Sequence, residues 1–279
     1  MSTTLPKITV FRGFKEGGAF VWSPFVTKLE ARLRFGGVAY ATAAGSPRQG
    51  PKGKIPYVEV TRRGGGEGEG EEEETAVLGD SALIAAALAE RGVLADINAR
   101  LTGAERAHDL ALRAMLEDRL AFYQGWERWT QNYYVMRDHV LWALPWPVRV
   151  VVGALIHRNM VATLHGQGTG RFSADEIARL RREVWAGFAD LALASRSNQQ
   201  NATSSSSSLP TEERGAPFWI LGGPEPTEAD TALFGFLVSA LLCTAGPGSQ
   251  ADVKSFPVLL EYARRIQEQY FPDYEALPI

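Results

Sequence analysis

Near residues 93–101 the sequence changes its period, and that change constrains the fold more than any other feature. Before it, short alternating or β-branched runs are interleaved with helical stretches; after it, apolar residues recur at helical spacing and no strand signal is strong. Lys7–Phe11 alternates. Ser23-Pro24 then opens a segment in which Phe25, Leu29 and Leu33 share one helix face until Gly36-Gly37 stops it. Val38–Ala43, Tyr57–Thr61 and Ala76–Leu78 read as further strands, and Asp80-Ser81 caps a helix over Ala82–Glu90 that ends at Gly92. Strand, helix, strand, followed by strand, strand, helix, is the two-halved plan of a thioredoxin-like α/β domain. Gly45, Pro47, Gly50, Pro51 and Gly53 make the stretch between Ala43 and Ile55 a loop where a further helix would fit.

Thr102, with Glu105 in capping-box position, begins the second half. Helices are predicted over Gly103–His139, Pro147–His165, Ala174–Ala194, Thr227–Ala245 and Phe256–Tyr270. The expected fold class is therefore α/β plus all-α: a thioredoxin-like domain over residues 1–95, then a helical bundle over 100–279. Two low-complexity stretches, Gly/Glu-rich at 64–74 and Ser-rich at 198–208, cannot bury apolar surface and read as loop insertions.

A chain of 279 residues with 45% hydrophobic content buries a sizeable core. Its net charge of -3 offers no basic field for phosphates, which argues against nucleic acid as a partner. One cysteine, Cys243, excludes an internal disulfide and suits a reducing, cytoplasmic setting; it sits among apolar residues and reads as packing. Four scattered histidines, with Glu71–Glu74 as a solvated run, give no metal-ligand pattern. Val140–Ile156 is the most apolar window, but Pro145, Pro147 and Arg149 interrupt it short of the roughly 20 residues a spanning helix needs.

Three short segments carry chemistry when taken together. Ser23 stands at the start of a helix, one residue before a proline that donates no amide, where the helix dipole favours an anion such as a thiolate, although taken alone it reads as a plain N-cap. In Lys54-Ile55-Pro56 a cis proline would turn the Ile55 backbone outward to pair with a peptide, while a strand-initiating trans proline fits equally well. Lys54 suits a ligand carboxylate and equally suits plain solvation. At Gly79-Asp80-Ser81 donors converge at a second helix start, suited to a carboxylate, with Asp80 available to an ammonium group.

Those segments in that order resemble the glutathione-transferase superfamily, closest to its failed-axon-connections and metaxin-like branch. Further along, Leu164–Arg171, Pro226–Asp230 with Phe234-Gly235, and Tyr270–Pro272 carry the same resemblance. The resemblance implies glutathione as cofactor: Ser23 to the thiol, the Ile55 backbone ahead of Pro56 to the cysteinyl unit, Asp80 and Ser81 to the γ-glutamyl end, and Lys54 to the glycyl carboxylate. It also implies that Thr227–Asp230 is a structural cap, and related folds commonly form homodimers. The shortened stretch from Ala43 to Lys54 departs from the pattern, because many transferases place a glutathione-binding helix there.

A second, hydrophobic small-molecule substrate is expected to meet Trp22, Phe25, Arg119, Tyr123 and Trp126. Phe122, Trp126, Trp129 and Tyr133 recur at helical spacing, a stripe that either packs the core or lines an apolar cleft above Ser23. The expected function is conjugation of glutathione to an apolar electrophile, or glutathione-dependent isomerisation of one. The alternative is a non-catalytic, metaxin-like binding or membrane-associated adaptor that docks through Val140–Ile156.

Overall fold

The computed structural model describes residues 6–15, 17–63, 73–204 and 216–279. Strand β1 (Lys7–Phe11), helix α1 (Pro24–Phe35) and strand β2 (Ala41–Ala43) form a crossover unit whose two strands are parallel. Strands β3 (Tyr57–Arg63) and β4 (Glu73–Gly79) add antiparallel to give the order β2-β1-β3-β4, and α2 (Ser81–Glu90) closes the domain. Alternation in the strands sends Ile8, Val10, Val58 and Val60 to one face, where Leu29 and Leu33 of α1 and Ile84 and Leu88 of α2 cover them. The opposite face, with Thr75 and Val77, stays open, because residues 44–54 form turns and no helix.

The helical half runs α3 (Gly103–Ala114), α4 (Ala121–Trp126), α5 (Tyr133–Val140), α6 (Trp146–Gln167), α7 (Ala174–Ser204), α8 (Glu228–Leu242), α9 (Pro247–Lys254) and α10 (Pro257–Tyr270). The helix expected as one piece over Gly103–His139 is wound as π-helix at Met115–Leu120 and Glu127–Gln131, then breaks at Asn132. Helix α9 lay hidden in sequence behind Pro247 and Gly248. The Ser-rich insertion begins later than its composition suggests: residues 198–204 continue α7, whose packed first turns have already met the cost of nucleation, and 205–208 lie outside the described residues. Of the Gly/Glu-rich loop, 64–72 lie outside the described residues, and Glu73 and Glu74 belong to β4.

Helix α8 is the axle of the molecule, buried along nearly its whole length. Thr227 and Asp230 form its capping box, and the Asp230 carboxylate also accepts from the Ile220 amide at 2.7 Å and the Tyr262 hydroxyl at 2.7 Å. Helix α1 packs along α8 so closely that a Cβ on Gly235 would sit 2.4 Å from the Pro24 carbonyl oxygen. The polar face of α1 is thereby buried: Lys28 pairs with Glu117 and Arg32 with Glu228, each at 2.6 Å. Among the described residues no single helix is long and apolar enough to cross a membrane.

Candidate functional site

The register of the sheet gathers the three segments singled out in the sequence. Phe11 pairs with Tyr57, and Tyr57 pairs with Gly79. The chain beyond Phe11, the residue before Tyr57 and the residue after Gly79 therefore meet at one end of the sheet. They are the loop leading to Ser23, Pro56, and Asp80. Because β1-α1-β2 is a parallel crossover, α1 starts at this same end and brings Ser23 to it.

Ser23 is the N-cap of α1, half-buried, in extended conformation (φ -77°, ψ 117°), and its hydroxyl makes no capping hydrogen bond. With Pro24 at the first helical position, the hydroxyl is uncommitted to the helix that aligns its dipole behind it. The Ile55-Pro56 peptide is cis; Pro56 is buried, Ile55 half-buried and Lys54 exposed. Asp80 is the one non-glycine residue with positive φ (76°) among the described residues, a conformation that recurs where a site overrides local preference. Its Oδ1 caps α2, accepting from the Ala82 amide at 3.0 Å and the Leu83 amide at 3.2 Å, which leaves Oδ2 outside the cap. Ser81 is buried as the first residue of α2.

The turns of residues 44–54 fold over this corner. Phe11 stacks on Tyr57 with centroids 4.4 Å apart, the Tyr57 hydroxyl donates to Gln49 at 3.3 Å, and Gly79 faces Lys52. A Cβ on Gly45 would lie 2.5 Å from the Tyr57 hydroxyl, so only glycine, here at φ 59°, allows that approach.

Beside Ser23, Trp22 borders a cleft of about 440 Å³ shared with Phe14, Phe20, His139, Leu242 and Glu275. The Trp22 indole stacks on the His139 imidazole, and Phe14 meets the same ring at 4.7 Å. Burial pushes His139 down to about 4, so the ring is neutral near pH 7, and its Nε2 is buried without a partner. From below, the Ser239 hydroxyl donates to the Trp22 carbonyl and accepts from Arg128 at 3.0 Å, fastening the residue before Ser23 to α8.

Of the residues expected to meet a second substrate, only Trp22 lines this cleft. Phe25 turns edge-on to Phe236 at 5.7 Å, Tyr123 belongs to the helical core, and Trp126 packs partly against that core. Arg119 is exposed on the first π segment. Of the stripe's members, Trp129 is buried and acts as packing, while Phe122, Trp126 and Tyr133 are half-buried. Sequence reasoning passed over His139, Phe14 and Ser239. An isolated serine inside the apolar run of α8 was the one visible signal.

Residues 24–136 match the family model described as glutathione S-transferase N-terminal domain, a span that runs from α1 into α5. Among solved structures, a glutathione transferase from Phanerochaete chrysosporium aligns at TM-score 0.54 and 16% identity, over 99% of this chain and 100% of that one. A glutathione transferase family member from Pseudomonas fluorescens, solved with two glutathione bound, aligns at 0.52 and 13% identity over 95% and 90%. Glutathione S-transferase III in its apo form aligns at 0.51 and 13% identity over 98% of both chains. At such identities the likeness speaks for the fold, and the family match speaks for the segment that holds Pro56 and Asp80. The chain thus has the glutathione S-transferase fold, a thioredoxin-like sheet domain followed by a helical domain, with its residues 24–136 matching that superfamily's N-terminal domain.

Proposed function

We propose that the protein is a glutathione-dependent transferase or isomerase in which Ser23 stabilises the glutathione thiolate. The reading is carried by the meeting of Ser23, Pro56 and Asp80 at one end of the sheet, through the register Phe11 to Tyr57 to Gly79. The Ser23 hydroxyl donates to the sulfur, the α1 dipole favours its negative charge, and the thiol proton passes to solvent. The Ile55 backbone pairs with the cysteinyl unit, Asp80 Oδ2 and Ser81 receive the γ-glutamyl end, and Lys54 meets the glycyl carboxylate. The bound glutathione of the Pseudomonas fluorescens neighbour is in keeping with this assignment. In conjugation the sulfur forms a bond to an electrophilic carbon as the leaving group departs with the bonding pair; in isomerisation the same sulfur adds and is later expelled.

The second substrate on this reading is a flat apolar molecule in the cleft of Phe14, Trp22 and His139. Its contact with Trp22 places it one residue from Ser23, so proximity adds to thiolate stabilisation. A homodimer in a reducing cytoplasm is the setting we propose.

Calorimetric titration with glutathione and with S-methylglutathione tests the assignment, together with turnover of a chloronitrobenzene electrophile by wild type and Ser23→Ala. Binding of both ligands, with turnover reduced about 10²-fold or more in the variant, is expected. Absence of glutathione binding to the folded wild type would remove the proposal.

A further inference from the structure

The cleft beside Ser23 has aromatic walls and a carboxylate at its edge. Glu275 lines it together with Phe14, Phe20, Trp22 and His139, and no lysine or arginine does. The backbone of Glu275 is committed on both sides: its amide donates to the Gly18 carbonyl at 2.8 Å, and its carbonyl accepts from Gln267 Nε2 at 2.7 Å. Its carboxylate makes no hydrogen bond and no ion pair among the described residues, and the residue is exposed. Phe14, Phe20 and Trp22 are each half-buried, so part of every ring is left uncovered. Phe20 packs on Phe271 and on Tyr274, which holds the segment carrying Glu275 against the aromatic wall.

Charge then separates the molecules that fit. The faces of aromatic rings carry negative potential and the carboxylate adds a full negative charge, so a cation gains from both. A neutral apolar molecule seated over Glu275 strips water from the carboxylate and offers it no partner. An anion meets its repulsion. The buried cations nearby are already occupied: Arg12 donates to the Ala19 carbonyl and pairs with Glu30, and Arg128 donates to the Trp22 carbonyl at 3.5 Å and to Ser239 at 3.0 Å. His139 adds no competing positive charge, because burial keeps its ring neutral near pH 7. A volume of about 440 Å³ suits a ligand with one aromatic ring and a short substituent.

We propose that this cleft selects an aromatic organic cation, an amine or quaternary ammonium, with its ring among Phe14, Phe20 and Trp22 and its positive charge at Glu275. The assignment narrows the co-substrate proposed above and rests on that reading for its part in turnover. Glu275 is the residue that sets the charge preference, and the ammonium group is held by the carboxylate and the ring faces together.

Calorimetric titration of the purified full chain tests it, with three benzyl compounds of different charge: benzyltrimethylammonium, benzyl alcohol and phenylmethanesulfonate. The cation is expected to bind about tenfold or more tightly than the alcohol, and the sulfonate more weakly than either. Glu275→Gln, a change at an exposed position, is expected to weaken the cation about fivefold or more and to leave the alcohol unchanged. An unchanged circular dichroism spectrum confirms that the variant keeps its fold. Alcohol or sulfonate binding as tightly as the cation, a cation preference undiminished in Glu275→Gln, or no binding of the cation to folded wild type overturns the proposal. The titrations contain no glutathione, so they read the cleft alone: a failure of the Ser23 assignment leaves their outcome intact, and a lost cation preference leaves the test of Ser23 intact.

Discussion

Trp22 and His139 lie face to face, ring centroids 3.4 Å apart and planes 10° from parallel, so the residue before Ser23 is clasped by the last turn of α5. The two residues are far apart in sequence and come from different domains. Their contact walls the cleft beside the proposed thiolate and leaves the imidazole half-buried, with its Nε2 shielded from water.

The first consequence concerns the charge on His139. Burial holds its pKa down at about 4 against an ordinary 6.5, so the ring stays neutral until the solution is strongly acidic. Sign follows from linkage: the folded state binds the proton more weakly, so this group's contribution to stability is present above about 6.5 and is lost as pH falls toward 4. The titration of the His139 ring protons by nuclear magnetic resonance should show a midpoint near 4, and a midpoint above 6 would mean that the stack does not form in solution.

Glu30 acts in the opposite sense. It is buried beside Arg12, whose Nε lies 3.0 Å away, and accepts from the Tyr274 hydroxyl at 2.9 Å. Burial raises its carboxyl to about 7 despite the pull of the Arg12 cation and the tyrosine donor. A carboxyl raised in the folded state favours folding at low pH and loses that advantage between about 4.5 and 7. The stability of wild type relative to Glu30→Gln should therefore fall as pH rises through that window. Urea unfolding at several pH values reads this difference, and a difference that does not vary with pH counts against it.

Gly235 sets helix propensity against packing. Replacing a mid-helix glycine by alanine gains about 1 kcal/mol from propensity. Here the new methyl would lie 2.4 Å from the Pro24 carbonyl oxygen and 2.9 Å from the Lys28 amide nitrogen, both backbone atoms of α1. Packing wins, and Gly235→Ala should destabilise by about 1–3 kcal/mol. Gly125→Ala, where nothing lies within 4 Å of the new atom, should be neutral or stabilising. Chemical denaturation of the pair checks the order, and a stabilised Gly235→Ala would show that α1 and α8 are not in such close contact.

Ser239 ties α8 to the backbone beside the site, donating to the Trp22 carbonyl and accepting from Arg128. Ser239→Ala leaves both partners short of a bond in a buried setting and should cost about 1–3 kcal/mol of stability. If Ser23 acts as proposed, the variant should also raise the pKa of bound glutathione, read from thiolate absorbance. Ser239→Thr, which keeps the hydroxyl, should restore that pKa, whereas a purely structural role would leave it unmoved in both.

Much of the architecture was legible before any coordinates. The β1-α1-β2 unit, the Asp80 cap and the Thr227–Asp230 box each carry a local signature in their own residues: β-branched alternation with Pro24 behind Ser23, a short acidic residue ahead of an apolar helix, and a threonine three before its aspartate. The π segments at Met115–Leu120 and Glu127–Gln131 were not legible, since the extra residue per turn is imposed by what the helix packs on. Buried Glu127 is an example: it takes hydrogen bonds from Arg181, Gly248 and Ser249, and none of these neighbours is near it in sequence.

Periodicity, caps and glycine placement thus determined the order of strands and helices, the division into a sheet half and a helical half, and the candidacy of Ser23, Pro56 and Asp80, because those are properties of contiguous residues. Tertiary structure alone decided that these three share one end of the sheet, that the charged face of α1 is buried against α8, and that His139 stands neutral against Trp22. The reason is physical: register, desolvation and ring contact depend on what distant segments bring together, and a linear pattern holds no record of distance.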